Sequence, residues 1–293
     1  MTNILEQLKT IEHTKIPDLA RDKFIEVYTQ KYGDQNAEAF FEEQRGLFLA
    51  ELTSGSYRNM LSVATGTSIY FAFLFLAINN LSLEKCLSTT CYLECRAMKI
   101  GEEPGINGGK PQAIYEHSAV VSVTGYGEIL LRQRAKQIRS VDNPKVVYDC
   151  DTFRYGEDNG QSYVKYEKSI PRPQGARIIA CYVRIVKADG TVDYFVLDTD
   201  EMLRLKQYSS KLHYGKPNAL YGKSNDCSDI DTGFLKSKTV KHAFKGYPKL
   251  SIGTGGAMES DKDEEPTPAP VATTAAPAAQ GVQVDAPEDT PFN

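Results

Sequence analysis

Histidine and cysteine are scarce in this sequence, and neither is arranged for a metal. The four histidines, His13, His117, His213 and His242, form no HExxH motif and no close pair. Cys91 and Cys95 have three residues between them, a poor zinc spacing, and no second pair stands at ligand distance. No structural zinc site is therefore expected. Met1 to Lys9 has no apolar core, so no secretory leader is predicted. Six thiols in such a chain point to a reducing, cytoplasmic compartment rather than a disulfide framework. Long apolar runs are also missing. The most apolar stretch, Met60 to Ile78, is dense only over Ile69 to Ile78 and has no basic flank. It predicts a buried core helix and no membrane partner. Gly101 to Lys110, GEEPGINGGK, reads as a mobile loop and fails as a phosphate loop. Pro104 stands where GxxxxGK needs glycine, and Pro111 follows Lys110, so no ATP site is expected.

What is present is segregated charge. The net charge is −4, but residues 118–256 carry +7 and residues 257–293 carry −7. A basic centre with an acidic tail fits a polyanion binder whose tail competes for the same surface. The strongest signal runs from Ser118 to Tyr155. An apolar run, Ala119 to Val123, meets Gly125-Tyr126-Gly127. A helical segment, Glu128 to Gln137, follows with Arg132, Arg134 and Lys136. A strand-like run, Ile138 to Tyr148, carries Arg139 and Lys145, with Asp142-Asn143-Pro144 as a bend. Cations neutralise phosphates and aromatic faces stack on bases, so this mixture suits a single strand of nucleic acid. The bland alternative is a solvated basic helix beside a sheet. Arg132 can equally form a surface pair with Glu128 at i, i+4. Gly125 and Gly127 suit a tight turn or a close backbone approach.

The rest of the chain divides into three. Residues 1–56 read as helices, with Phe24, Val27 and Tyr28 on one face and Phe40, Phe41, Leu47, Phe48 and Leu52 continuing the period. Residues 57–250 form the core. After the buried helix it continues with a strand over 90–97. Gly156 to Gly160 reads as a turn with Ser162 to Tyr166 returning. A hairpin, Ile178 to Val186 and Val192 to Leu197, follows. Asp198 or Thr199 caps a helix to about Tyr208, Ser209 to Asp231 reads as a surface loop, and Gly233 to Tyr247 is a second basic helix. There Lys238, Lys241 and Lys245 fall at i, i+3 and i+7. Residues 251–293 are rich in Pro, Ala, Thr and acids and predict disorder. The expected fold class is α+β. N-terminal helices pack around a small antiparallel β-sheet core, followed by a C-terminal basic helix and a disordered acidic tail.

The order of these pieces resembles the RecT family of phage and prophage single-strand annealing proteins. The residues that carry it are Leu81 to Glu84 with Cys91 to Glu94, and Val123 to Arg132. Next come Ile138 to Val141 with Val146 to Asp149 and Asp151 to Tyr155, then Gly175 to Val183 with Gly190. Lys238 to His242 with Pro248 closes the series. The resemblance spans roughly residues 40–250. It implies a protein that coats single-stranded DNA as a ring or helical filament and anneals complementary strands without ATP, often with Mg2+. Its partners would be single-stranded DNA, further copies of itself, and a phage exonuclease in a bacterial cytoplasm. Host single-stranded DNA-binding or replication proteins would meet the acidic tail, whose end, DAPEDTPFN, resembles the acidic tip of such binding proteins. No cofactor is required and no catalytic residue is implied.

The candidate nucleic-acid contacts are Arg132, Arg134, Arg139, Lys145, Arg154, Lys238, Lys241 and Lys245 for phosphates, and Tyr126 and Tyr148 for stacking. A passive single-strand coating protein would share the same cations. A metal-dependent nuclease would need acid pairs such as Asp149/Asp151 or Asp198/Asp200.

Overall fold

The computed structural model describes residues 4–54, 61–86, 88–103, 111–212, 215 and 217–258. Of the loop expected over Gly101–Lys110, residues 101–103 are strand instead and 104–110 lie outside the described residues, as does the disorder expected beyond Met258. The helices are α1 (Ile4–Thr10), α2 (Ile16–Leu19), α3 (Arg21–Tyr32), α4 (Ala37–Ser54), α5 (Gly66–Asn79), α6 (Gly125–Arg134), α7 (Thr199–Leu212) and α8 (Thr232–Phe244). The strands are β1 (Cys91–Glu103), β2 (Gln112–Val123), β3 (Ile138–Val141), β4 (Lys145–Tyr148), β5 (Thr152–Asp158), β6 (Gln161–Glu167), β7 (Ile178–Lys187), β8 (Val192–Asp198) and β9 (Gly256–Met258). The fold is α+β, as its composition and periodicity predict.

Helix α5 organises the N-terminal half. Apolar residues surround its whole circumference, and Ile69, Ala72, Phe73, Phe75, Leu76 and Ala77 are fully buried. A helix apolar all round belongs at a core or in a bilayer. Its 14 residues span about 21 Å, short of a bilayer core of about 30 Å. Among the described residues no helix is long and apolar enough to cross a membrane. The Phe73 ring meets those of Phe24, Phe41 and Phe48, which joins α5 to α3 and α4. The Thr65 side chain caps the start of α5, and Asn80 in the left-handed region ends it. On its other side α5 packs against β2, which pairs antiparallel with β1 and parallel with β9.

The C-terminal half is layered. β7 lies at the centre of the second sheet, with β8 along one edge and β3 and β4 end to end along the other. The Asp142–Pro144 bend interrupts that second edge. Side chains alternate on β7. Cys181, Val183 and Ile185 face the layer of α7 and α8. Ala180 and Tyr182 face the β5–β6 ribbon, a separate two-stranded sheet held by Phe153, Val164 and Tyr166.

Three expectations are corrected. Gly156 is not in a turn: β5 runs through it to Asp158, and the reversal falls at Asn159-Gly160, both with positive φ. The segment before α8 is not a surface loop, because Tyr221, Cys227 and Ile230 are buried beneath α7 and α8. Order extends past residue 251: Asn79 donates to the Ile252 carbonyl at 2.9 Å, and β9 closes the free edge of β2.

Gly127 sets how closely α6 approaches the first sheet. A Cβ there would lie 2.0 Å from the Thr90 carbonyl oxygen. Gly127→Ala is expected to destabilise the fold by about 1–3 kcal/mol. A urea midpoint equal to that of the parent would show that this approach is not tight.

Candidate functional site

The cations predicted to bind phosphate divide into buried and exposed sets. Arg132 belongs to the first, which corrects the expectation of a phosphate contact. It is 4% exposed and donates to Glu128 Oε1 at 2.7 Å, Gln137 Oε1 at 2.6 Å and the Pro248 carbonyl at 3.1 Å. Its guanidinium lies 4.7 Å from the Phe244 ring centre and 5.6 Å from that of Tyr247. The pair with Glu128 exists, but inside the protein rather than on its surface. Burial pushes the Glu128 carboxyl up, against the pull of Arg132 and Lys241.

Lys238 is likewise 4% exposed, with Nζ 5.1 Å from the Phe234 ring centre. The i, i+3, i+7 spacing put it on a solvent face. The helix is phased instead by Leu235, Thr239 and His242, whose side Lys238 shares. Of its two predicted companions, Lys241 is half-buried and Lys245 exposed. Arg134 is committed as well, donating to the carbonyls of Asn79 (2.5 Å) and Asn80 (2.9 Å) at the end of α5. Arg139 is exposed on β3 beside Gly190, Tyr126 is 58% exposed on α6, and Arg154 is exposed on β5.

Lys145 and Tyr148 are the predicted residues that share a cleft. It wraps the open edge of β4, where the helix layer and the ribbon come together. Its larger part, about 540 Å³, is lined by Asn143, Pro144, Lys145, Val146, Tyr148, Tyr166, Lys168, Arg172, Thr232 and Lys236. Among these described residues four are cations and none is an acid. A smaller part, about 220 Å³, shares Asn143, Lys145 and Tyr166 and adds Arg184, Tyr182, Tyr194 and the single acid Asp142. The Asp142–Pro144 bend forms the lip of both.

Lys168, Arg172, Lys236 and Tyr166 were not among the predicted residues. Lys236 was visible as one more lysine on a basic helix, and its phase relative to Leu235 would have separated it from Lys238. Lys168 and Arg172 lie beyond the ribbon, in a stretch with no periodic signal.

Asp151 orders the cleft wall. Its carboxylate is fully covered. It accepts from Tyr148 N–H (3.0 Å), Ser169 N–H (2.9 Å), the Tyr166 hydroxyl (3.2 Å) and Arg172 Nη2 (3.2 Å). Burial opposes its charge, but the Ser169 and Tyr148 donors and the Arg172 guanidinium hold its pKa below the ordinary carboxylate value. Arg172 is thereby fixed 3.6 Å above the Tyr148 ring centre. Tyr148 also packs against the core under α7 and α8. The guanidinium therefore covers one face of the tyrosine ring, which corrects the stacking role predicted for Tyr148.

Three of the four acids suggested for a nuclease, Asp149, Asp151 and Asp198, are occupied otherwise. Asp149 accepts from Arg177, Asp151 from Arg172, and Asp198 caps α7 through the Glu201 N–H at 3.0 Å. No cluster of three or more metal-ligating side chains occurs among the described residues.

Removing one partner of the buried pair leaves the other charged and uncompensated. Arg132→Leu is expected to cost about 3–5 kcal/mol, and Glu128→Leu in the same chain to recover part of it. Urea unfolding of both variants checks this, and additive losses would refute the coupling. Asp151 gives a pH signature. Its folded pKa lies below its unfolded one, near about 3.9. The stability it contributes is complete above about pH 5 and is lost as pH falls through the folded value. Asp151→Asn should lower the urea midpoint at pH 7 and reduce the further fall between pH 5 and 3. No protein-family model matches this chain, and no curated protein matches it.

Proposed function

We propose that this protein binds single-stranded DNA without ATP, assembles on it with further copies of itself, and speeds the annealing of complementary strands. The observation that carries this reading is the cleft at the β4 edge. Lys145, Lys168, Arg172 and Lys236 converge there without an acid in the larger part of the lining. Each exposed cation in such a groove can neutralise a phosphate, and the Arg172 plane offers a flat face to a base. These contacts carry no sequence information, so base preference should be weak.

Annealing is downhill, because base pairing supplies the free energy. The obstacle is kinetic: free strands repel one another and fold into hairpins. A strand held extended by its phosphates keeps its base edges open to a complement. Lys241 and Lys245, predicted as phosphate contacts, are not among the residues that line the cleft. A phage exonuclease that exposes the strand, and host proteins met by the acidic tail, are the partners this reading implies.

Lys145→Ala combined with Lys236→Ala should lower the magnitude of the log K versus log salt slope by about 1.4, roughly 0.7 for each lost single-strand phosphate contact. An unchanged slope removes the cleft from the binding surface. Fluorescence transfer between complementary oligonucleotides tests the second half. Annealing should be faster with the protein than without it, and slower pairing would indicate passive coating instead.

A further inference from the structure

The outer face of the β5–β6 ribbon carries a charge arrangement that folding does not favour. Arg154 and Lys165 are direct cross-strand partners, and both are exposed. Side chains so paired have Cβ atoms about 4.5–5.5 Å apart, and like charges placed there repel. Neither cation has a salt-bridge partner among the described residues. One step along the same face, Tyr163 is paired with Gly156. A Cβ at Gly156 would come within 2.7 Å of the Tyr163 hydroxyl and 2.8 Å of its Cζ. The missing side chain lets the tyrosine ring lie across the neighbouring strand, where it stays 41% exposed. Two unneutralised cations beside an exposed aromatic face suit a single-stranded polynucleotide. Glu167 at one end of the row and Asp158 at the other confine the basic patch to about two phosphates.

The ribbon's inner face bears Val164 and Tyr166, which line the cleft. Alternation along the strands therefore puts the cleft on one side of the ribbon and this patch on the other.

We propose that the outer face is a second binding site for single-stranded nucleic acid. Arg154 and Lys165 hold its phosphates, and Tyr163 stacks on one base. The site rests on the single-strand reading of the cleft and adds to it a place for the incoming strand. A strand in the cleft and a strand on the outer face are separated by the thickness of one two-stranded sheet. That raises the local concentration of each near the other before any base pair forms.

The test uses the full chain, saturated with an unlabelled oligo-dT and then titrated with a fluorescent oligo-dT, which cannot pair with the first. Anisotropy should report capture of the second strand by the parent protein. Arg154→Gln with Lys165→Gln should weaken that capture at least tenfold and lower its salt slope by about 1.4. First-strand affinity should stay within about twofold, and the thermal midpoint should not fall, since a repulsive pair has been removed. Tyr163→Ser should weaken second-strand capture roughly fivefold or more. Parent-like capture by both variants overturns the second site. So does a parent that saturates at one strand, or a parallel loss of first-strand affinity, which would make the ribbon part of a single surface. Failure of the parent to bind the first strand appears at the opening step and overturns the cleft reading itself.

Discussion

Burial of the Arg132 guanidinium is the constraint on which the arrangement of the C-terminal half depends. A charge taken out of water must be paired and hydrogen-bonded nearly completely, or the cost is several kcal/mol. Meeting that demand draws together Glu128 from α6, Gln137 from the turn after it, and the carbonyl and ring of Phe244 at the end of α8. The Pro248 carbonyl and the Tyr247 ring complete the set. These groups span 120 positions of the chain, from Glu128 to Pro248. Helix α8 is fixed at its C-terminal end in this way. Its first turns, carrying Thr232 and Lys236, are then held at the β4 edge.

The basic residues thus serve two ends. Arg132, Arg134 and Lys238 are satisfied by carboxylates, carbonyls and aromatic rings of their own chain. Lys145, Lys168 and Lys236 line the larger part of the cleft, where the wall carboxylate, Asp151, is covered and already committed to Arg172. Local charge density is therefore a poor guide to where a polyanion would bind. The most crowded basic segment in the sequence, Arg132 to Arg139, contributes more to cohesion than to the cleft.

Much of the architecture could be read from periodicity. The apolar density of Ile69 to Ile78 marks the core helix, and the bend at Asp142–Pro144 is where one edge strand breaks in two. The Ala188–Gly190 hairpin has its turn where a positive-φ glycine requires it. Less could be read of the site. Lys238 looked exposed because i, i+3, i+7 spacing defines a face without saying which way it points, and that is decided by Leu235 and its buried neighbours. Arg172 is separated from Tyr148 by the whole ribbon, so only the tertiary fold brings guanidinium and ring together. The segment before α8 is polar by composition, yet three residues, Tyr221, Cys227 and Ile230, suffice to draw it into the core.

The ribbon is joined to the second sheet by no strand pairing. It rests there through Phe153 and Tyr166 against Tyr182, and through Ser162, which accepts from the Tyr194 N–H at 3.0 Å. A two-stranded hairpin is marginal alone in water, so these contacts hold it folded as well as in place. The gap between ribbon and β4 is accordingly set by aromatic rotamers rather than by a backbone ladder. A change in that gap would break no strand pairing, so every strand of the second sheet would keep its register.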